Sequence, residues 1–277
     1  MTERYAVIGH PIGHSRSPRI HRSFAASSQQ DLSYEAILSP LDGFAEVVSA
    51  FFAQPEAKGL NVTLPFKEQA YALSEVRSLR AEQAGAVNTL LKGKDGRLYG
   101  DNTDGVGIVR DITTNLGWQL AGKRVLVVGA GGAVRGVLGP LLAAKPAQLW
   151  LANRTHSKAQ ALAELFSQYG ALHAVEFANI PPHSIDVIIN GSSASLSGEL
   201  PPLPTAILAT GACAYDMAYG KPQLPFLTWA QAQDAHISDG LGMLLEQAAE
   251  SFFIWRGVRV KTADLLAEIR QELATLK

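Results

Sequence analysis

Two kinds of apolar spacing alternate through the first hundred residues. Short runs rich in β-branched and aromatic residues at 5–9, 34–38 and 59–64 predict strands, while stretches around Ile20, Phe44 and Glu68 repeat apolar positions at helical spacing. That alternation predicts an α/β sheet. Residues 87–99 read as a hairpin turning at Lys94-Asp95-Gly96, and 105–116 as a helix closed by Gly117. A second start follows at 123–128, an apolar strand leading through a glycine cluster into a helix to about Ala144. Further strands are expected at 148–152, 185–190 and 212–216, and an amphipathic helix over 244–255. Pro201-Pro202-Leu203-Pro204 is expected to form a rigid surface loop. The pattern predicts two α/β domains, 1–101 and 102–240, with helices of 241–277 packing back on the first.

Composition narrows the class. A chain of 277 residues that is 47% hydrophobic can bury two cores. A net charge of −1, with no basic stripe interleaved with aromatics, offers nothing to nucleic acid. The single cysteine, Cys213, has no disulfide partner and reads as a buried filler in a strand. No apolar run reaches membrane length, and a strand beginning at Arg4 leaves no room for a signal peptide, so a cytoplasmic protein without membrane association is expected. Among seven histidines, His10 and His14 are four apart, but Pro11 and Gly13 between them argue against a shared helix face, and no metal is expected.

The candidate chemistry falls into two groups. Residues 59–64 form a β-prone run, after which Pro65 presets the first turn of a helix carrying Lys67. A cation in that turn opposes the helix dipole and calls for an anion, which Asp104 in Asn102-Thr103-Asp104 can supply. In a pocket, such a pair passes one proton to an oxygen while a hydride moves elsewhere; in isolation the same residues read as two solvated charges. Ser15 and Ser17 precede Pro18 at a helix start, where Ser17 is either the N-cap or, with Ser15, a site for a carboxylate. Gln247 interrupts an apolar helix face and either reaches substrate or lies exposed on the flank.

Gly129-Ala130-Gly131-Gly132-Ala133, between a buried strand and a helix, is the arrangement that lets backbone amides approach a pyrophosphate, although Val134 stands where the full pattern has its third glycine. The next strand ends in Asn153-Arg154-Thr155 with no carboxylate to hold ribose hydroxyls. Arg154, Thr155 and Lys158 instead suit the 2′-phosphate of NADP. Ser192, Met217 and Tyr219 follow later strand ends and are candidates for the nicotinamide end of the cleft.

Eight motifs taken in order resemble the shikimate dehydrogenase family: Ser15-x-Ser17-Pro18, Asn61-Val62-Thr63-x-Pro65-Phe66-Lys67, Gly85-Ala86-Val87-Asn88-Thr89, Gly100-Asp101-Asn102-Thr103-Asp104-Gly105, the glycine cluster, Asn153-Arg154-Thr155, Tyr215-Asp216-Met217, and Asp239-Gly240 with Gln247. The resemblance implies an N-terminal substrate domain, a Rossmann-like doubly wound NADP domain and an active-site cleft between them. It implies that Ser15 and Ser17 bind the substrate carboxylate, that Asn61, Thr63, Asn88, Tyr219 and Gln247 contact the ring and its hydroxyls together with Lys67 and Asp104, and that Lys67 and Asp104 are the catalytic pair. It further implies NADP held by Gly129, Ala130, Gly131, Gly132, Ala133, Asn153, Arg154, Thr155, Lys158, Met217 and Gly240, and a small-molecule substrate, shikimate or 3-dehydroshikimate, turned over by a monomer or homodimer. Lys158 stands where the family often has arginine, Val134 where it usually has a smaller residue, and Asn190-Gly191-Ser192 where Asn-Ala-Thr is usual.

Overall fold

Each half of the apolar pattern builds a sheet of its own. The computed structural model describes residues 2–220 and 224–275, apart from the side chain of Leu196, and divides into two units, Met1–Gly107 with Leu245–Ile269 and Ile108–Leu244 with Arg270–Lys277. The first unit begins with β1 (Glu3–Gly9), α1 (Ser17–Ser27), β2 (Leu32–Leu38), α2 (Phe44–Phe52), β3 (Ala57–Val62), α3 (Lys67–Leu73), β4 (Val76–Arg77), α4 (Leu79–Ala84), β5 (Thr89–Lys92), β6 (Leu98–Asp101) and α5 (Asp104–Arg110). The second carries β7 (Arg124–Val128), α6 (Gly132–Ala143), β8 (Gln148–Ala152), α7 (His156–Phe166), β9 (Leu172–Ala174), β10 (Ile185–Asn190), α8 (Ala194–Ser197), β11 (Leu208–Asp216), α9 (Pro225–Gln231) and β12 (His236–Ser238). Two helices finish the chain, α10 (Leu241–Arg256) and α11 (Ala263–Thr275).

In the first unit the sheet order is β2-β1-β3-β5-β6-β4, with β1 parallel to β2 and β3 and the β3-β5-β6 run antiparallel. The β5–β6 hairpin is the one expected, turning through residues 93–97. The core of this unit gathers Ile8, Leu60 and Leu90 of the sheet with Val87, Phe44 and Phe66, the two phenylalanine rings stacking at 4.8 Å. Trp255 of α10 lies on Gly59 of β3, where any side chain would strike its indole, and donates its Nε1–H to the Leu90 carbonyl at 3.0 Å. The glycine is what lets a C-terminal helix sit on an N-terminal strand.

The second sheet is parallel throughout, ordered β12-β11-β10-β7-β8-β9. Its strand order is that of a doubly wound sheet, whose winding reverses between β7 and β10. Both central strands are apolar because both faces are covered. Arg124 pins them together through two bonds to Asp186, at 2.7 and 2.9 Å, and that guanidinium holds the Asp186 carboxyl below its usual range. Among the described residues no helix is long and apolar enough to cross a membrane.

Several local expectations are corrected. The first unit extends to Gly107, six residues past the expected boundary, because the opening of α5 is fastened to Asn88. At the other end Arg270 pairs with Asp239 at 3.1 Å, and residues from 270 on group with the second unit. The helix expected from 105 starts at Asp104 and changes to a π-helical turn over Asp111–Asn115. Helix α10 starts at Leu241, three residues early, with the Leu241 N–H on Asp239 Oδ1 at 3.3 Å. The Pro201–Pro204 stretch is not a free surface loop, since Leu203 enters the core under β10 and β11.

Candidate functional site

In the first unit, five elements deliver polar side chains to one place. Asn102 and Thr103, both buried, form the turn into α5: Asn102 Oδ1 accepts the Asp104 N–H at 3.1 Å, and the Thr103 carbonyl accepts the Gly107 N–H at 2.9 Å. Asp104 therefore stands at a helix N-terminus, where the dipole favours its charge. Its Oδ2 meets Lys67 Nζ at 2.6 Å and its Oδ1 receives Asn88 Nδ2 at 2.8 Å. The Lys67 side chain is 26% exposed and that of Asp104 13%, so the pair is sheltered yet open to a ligand. Gln247 of α10 turns its Oε1 to Asn88 Nδ2 and to the Thr103 hydroxyl, each at 3.4 Å. Asn61 is buried, accepting the Tyr34 hydroxyl at 2.7 Å and donating to the Asn88 carbonyl at 3.1 Å.

Lys67 is the first residue of α3, as expected, but Pro65 is not in the helix. Phe66 is its N-cap, accepting the Ala70 N–H at 2.8 Å, and Pro65 precedes it after a cis bond. Ser17 is likewise not an N-cap. The Arg16 carbonyl takes the first helical bond, from Ile20 at 3.0 Å, and Ser15 Oγ accepts the Ser17 N–H at 3.3 Å. The Ser17 side chain is buried and acts electrostatically on Tyr34, whose hydroxyl donates to Asn61 Oδ1 at 2.7 Å. Thr63 is half-buried just past β3, with its methyl against Gly9.

The second unit holds the other group. Gly129 has φ +111, and a Cβ there would stand 3.0 Å from the Ser192 backbone nitrogen and 3.1 Å from the Gly191 carbonyl, so a side chain is disfavoured twice. Helix α6 has no side-chain cap and no acidic residue in its first turn, and nothing stands within 4 Å of where side chains on Gly131 or Gly132 would begin. Those open amides at the dipole's positive end fit a pyrophosphate. Asn153 is braced by its Nδ2 on the Thr155 carbonyl at 2.9 Å. Arg154, Thr155 and Lys158 are exposed, and neither cation is paired among the described residues, so this loop fits a phosphate.

Met217 and Gly240 touch: a side chain on Gly240 would strike the Met217 carbonyl, and the Gly240 N–H bonds to the Ala218 carbonyl at 3.0 Å. Tyr219 follows, half-buried, in this same unit. Beneath them Asp216 accepts from Asn190, Ser195 and the Ala218 N–H; burial pushes its carboxyl above the usual range, against the pull of those donors. Burial also raises the half-buried Cys213 thiol.

Sequence reasoning missed Tyr34, Thr89 and Ser251, which support the polar cluster. A signal for Ser251 was present, for it lies one helical turn beyond Gln247 on the same face. Val134 and Gly191, two departures from the family pattern, turn out to be neighbours: a Cβ on Gly191 would stand 2.6 Å from Val134 Cγ2. The larger residue occupies the room that the smaller one leaves.

Known proteins match this chain along its length. Residues 7–90 match the shikimate dehydrogenase substrate binding domain, 111–197 match shikimate / quinate 5-dehydrogenase, and 240–270 match the shikimate 5′-dehydrogenase C-terminal domain. A shikimate dehydrogenase (NADP(+)) of Alkalilimnicola ehrlichii is 58% identical over 98% of this chain and 100% of its own. The chain belongs to the shikimate dehydrogenase family. Among solved structures, an Ael1 enzyme of Pseudomonas putida superposes with TM-score 0.92 at 47% identity, covering 96% of this chain and 97% of that one. The Thermus thermophilus shikimate 5-dehydrogenase in complex with NADP(H) and shikimate superposes with TM-score 0.85 at 34% identity, covering 97% and 99%.

Proposed function

We propose that the protein catalyses the reversible reduction of 3-dehydroshikimate to shikimate with NADPH, in aromatic amino acid biosynthesis through chorismate. The observation that carries this reading is the 2.6 Å contact of Lys67 Nζ with Asp104, in a chain 58% identical to a shikimate dehydrogenase (NADP(+)). Ser15 and Ser17 take the substrate carboxylate, and Asn61, Thr63, Asn88, Tyr219 and Gln247 take the ring and its hydroxyls. Gly129 to Ala133 hold the pyrophosphate, Asn153, Arg154, Thr155 and Lys158 the adenosine 2′-phosphate, and Met217 and Gly240 the nicotinamide side. NADPH, when bound, supplies the hydride to the carbonyl carbon. Lys67 gives a proton to the carbonyl oxygen as negative charge gathers there, and Asp104 holds the ammonium in place beforehand. The neutral amine left beside the carboxylate then regains a proton from water. In reverse, the same pair accepts the hydroxyl proton. The setting we assign is the reducing cytoplasm, with a monomer or homodimer acting on small molecules; one cysteine and a net charge of −1 support it.

Absorbance of the reduced nicotinamide tests this with shikimate or quinate, each paired with NADP or NAD. Fast reduction of NADP by shikimate is the expected result. Comparable rates with quinate or NAD would point to a dual-specificity relative, and no reduction in any pairing would sink the reading.

A further inference from the structure

We propose that Thr89 and Ser251 are positioning residues for the reduction, because their two hydroxyls form a hydrogen-bond relay that, with the Thr103 main-chain N–H, holds the Asn88 amide with its nitrogen facing Asp104. The inference rests on the reading that Lys67 and Asp104 move the proton. Both hydroxyl-bearing residues are fully buried, so neither is offered as a substrate contact.

The direction at the two ends of the relay follows from groups that have no choice. The Thr103 main-chain N–H can only donate, and it meets Asn88 Oδ1 at 2.9 Å. The carbonyl end of Asn88 therefore lies toward Thr103 and its Nδ2 toward Asp104 Oδ1. The Asn88 main-chain carbonyl can only accept, and it faces Asn61 Nδ2 at 3.1 Å, which orients the Asn61 amide in turn. Asn61 Nδ2 then donates to Ser251 Oγ at 3.0 Å. A hydroxyl has one hydrogen. Ser251, receiving from Asn61, passes its own to Thr89 Oγ1 at 2.7 Å, and Thr89 passes its own to Asn88 Oδ1 at 2.9 Å. Every bond from Asn61 through Ser251, Thr89 and Asn88 to Asp104 points the same way, and aligned bonds in a dry interior polarise one another.

Competing contacts exist, each longer than the 2.7 Å Ser251–Thr89 bond: Asn61 Nδ2 also lies 3.3 Å from Thr89 Oγ1, and Ser251 Oγ lies 3.3 Å from Thr103 Oγ1. Ser251 can donate to the Gln247 carbonyl at 3.1 Å, one turn back along α10, whereupon Thr89 turns to Ser251 and leaves Asn88 Oδ1 to Thr103 alone. The longer bond and the lost contact favour the aligned form. The relay matters during turnover, when the charge on Lys67 changes next to Asp104. An Asn88 amide free to flip would then set oxygen lone pairs against the carboxylate and draw Asp104 out of line with Lys67. With Thr89 donating, the flip has to break two bonds to Asn88 Oδ1 at once, those from the Thr89 hydroxyl and the Thr103 N–H.

The test is a pair of substitutions that separate the hydroxyl from the packing. Thr89→Val keeps the shape and removes the donor; Thr89→Ser keeps the donor and removes a methyl. With shikimate and NADP, and with folding checked by thermal unfolding, Thr89→Val should lower kcat by about tenfold, the scale of one hydrogen bond, and leave the KM for NADP unchanged. Thr89→Ser should stay within about threefold of the unsubstituted protein, well above Thr89→Val. Ser251→Ala should lower kcat in the same direction, and adding it to Thr89→Val should cost nothing further, because the two act in series. A packing role predicts the opposite order, with Thr89→Ser the worse variant. Unsubstituted protein that fails to reduce NADP with shikimate overturns the underlying reading; normal turnover with Thr89→Val equal to or better than Thr89→Ser overturns the relay alone.

Discussion

If Lys67 and Asp104 act as one unit, their losses will not multiply. Lys67→Met removes the ammonium from its 2.6 Å contact and leaves a carboxylate whose other oxygen still receives Asn88 at 2.8 Å. A positioned acid contributes about 10²- to 10⁴-fold, so kcat/KM should fall by that factor, which is about 3 to 5 kcal/mol of transition-state stabilisation. Asp104→Asn keeps the shape but removes the charge that holds the ammonium, and about 10- to 100-fold should be lost, the cost of misplacing an otherwise intact acid. With Lys67 already gone, Asp104 has no ammonium left to hold. Lys67→Met/Asp104→Asn should therefore be within a few fold of Lys67→Met. Initial rates of NADP reduction by shikimate give the kinetics, and quenching of protein fluorescence by NADP gives cofactor affinity. Affinity should be unchanged in all three variants, because the glycine loop belongs to the other unit. Losses that multiply, or NADP binding that disappears with Lys67, would refute the reasoning.

Arg154→Ala should raise the KM for NADP by about 10- to 100-fold through lost charge-assisted bonds and leave that for NAD unchanged; equal effects on both would show that Arg154 does not meet the 2′-phosphate. Gly191→Ala should destabilise the protein by about 1 to 3 kcal/mol through overpacking against fully buried Val134 and the Met217 thioether, and Val134→Ala in the same chain should restore part of it in a denaturant melt. His21 is buried against Tyr34, with ring centroids 4.2 Å apart and neither ring nitrogen bonded, and burial lowers its pKa from 6.5 to about 3, against a smaller opposing pull from Asn61. Its folded pKa lies below its unfolded one, so its contribution is complete above about pH 6.5 and is lost as the pH falls: about 2 kcal/mol between pH 8 and pH 5. Urea midpoints should track that loss, and His21→Phe should flatten it; an unchanged slope in His21→Phe would assign the acid sensitivity elsewhere.

Local pattern revealed what local pattern controls. The strands around Val7, Leu60, Leu126 and Ile188 are apolar runs bounded by glycines or polar residues, and the glycine cluster and Asn102-Thr103-Asp104 are contiguous, so each is visible in a short window. Edge strands β9 and β12 are three residues each and mostly half-exposed or exposed, too short to show a period. The first half of β11 is masked by Gly211, which at φ +71 breaks the run where the strand bulges against β10. The π-helical turn at Asp111 is fixed by the hydroxyl of Tyr215, 104 residues away, at 2.7 Å. No local signal precedes a contact of that range. Thr89 lay in plain view inside a motif, but its partner Ser251 comes from a distant helix, and only the fold puts the two oxygens 2.7 Å apart.

That distant helix also sets a clock. Thr103 and Ser251 are 148 residues apart in the chain, so a ribosome adding about 5 to 20 residues per second makes the second roughly 7 to 30 s after the first. Until residue 247 is added the nascent chain has Lys67 and Asp104 but neither Gln247 nor the indole that covers Gly59. A message cut short between Asp104 and α10 thus yields a polypeptide with the reacting pair and no Gln247 beside it, and competence arrives only with α10 itself.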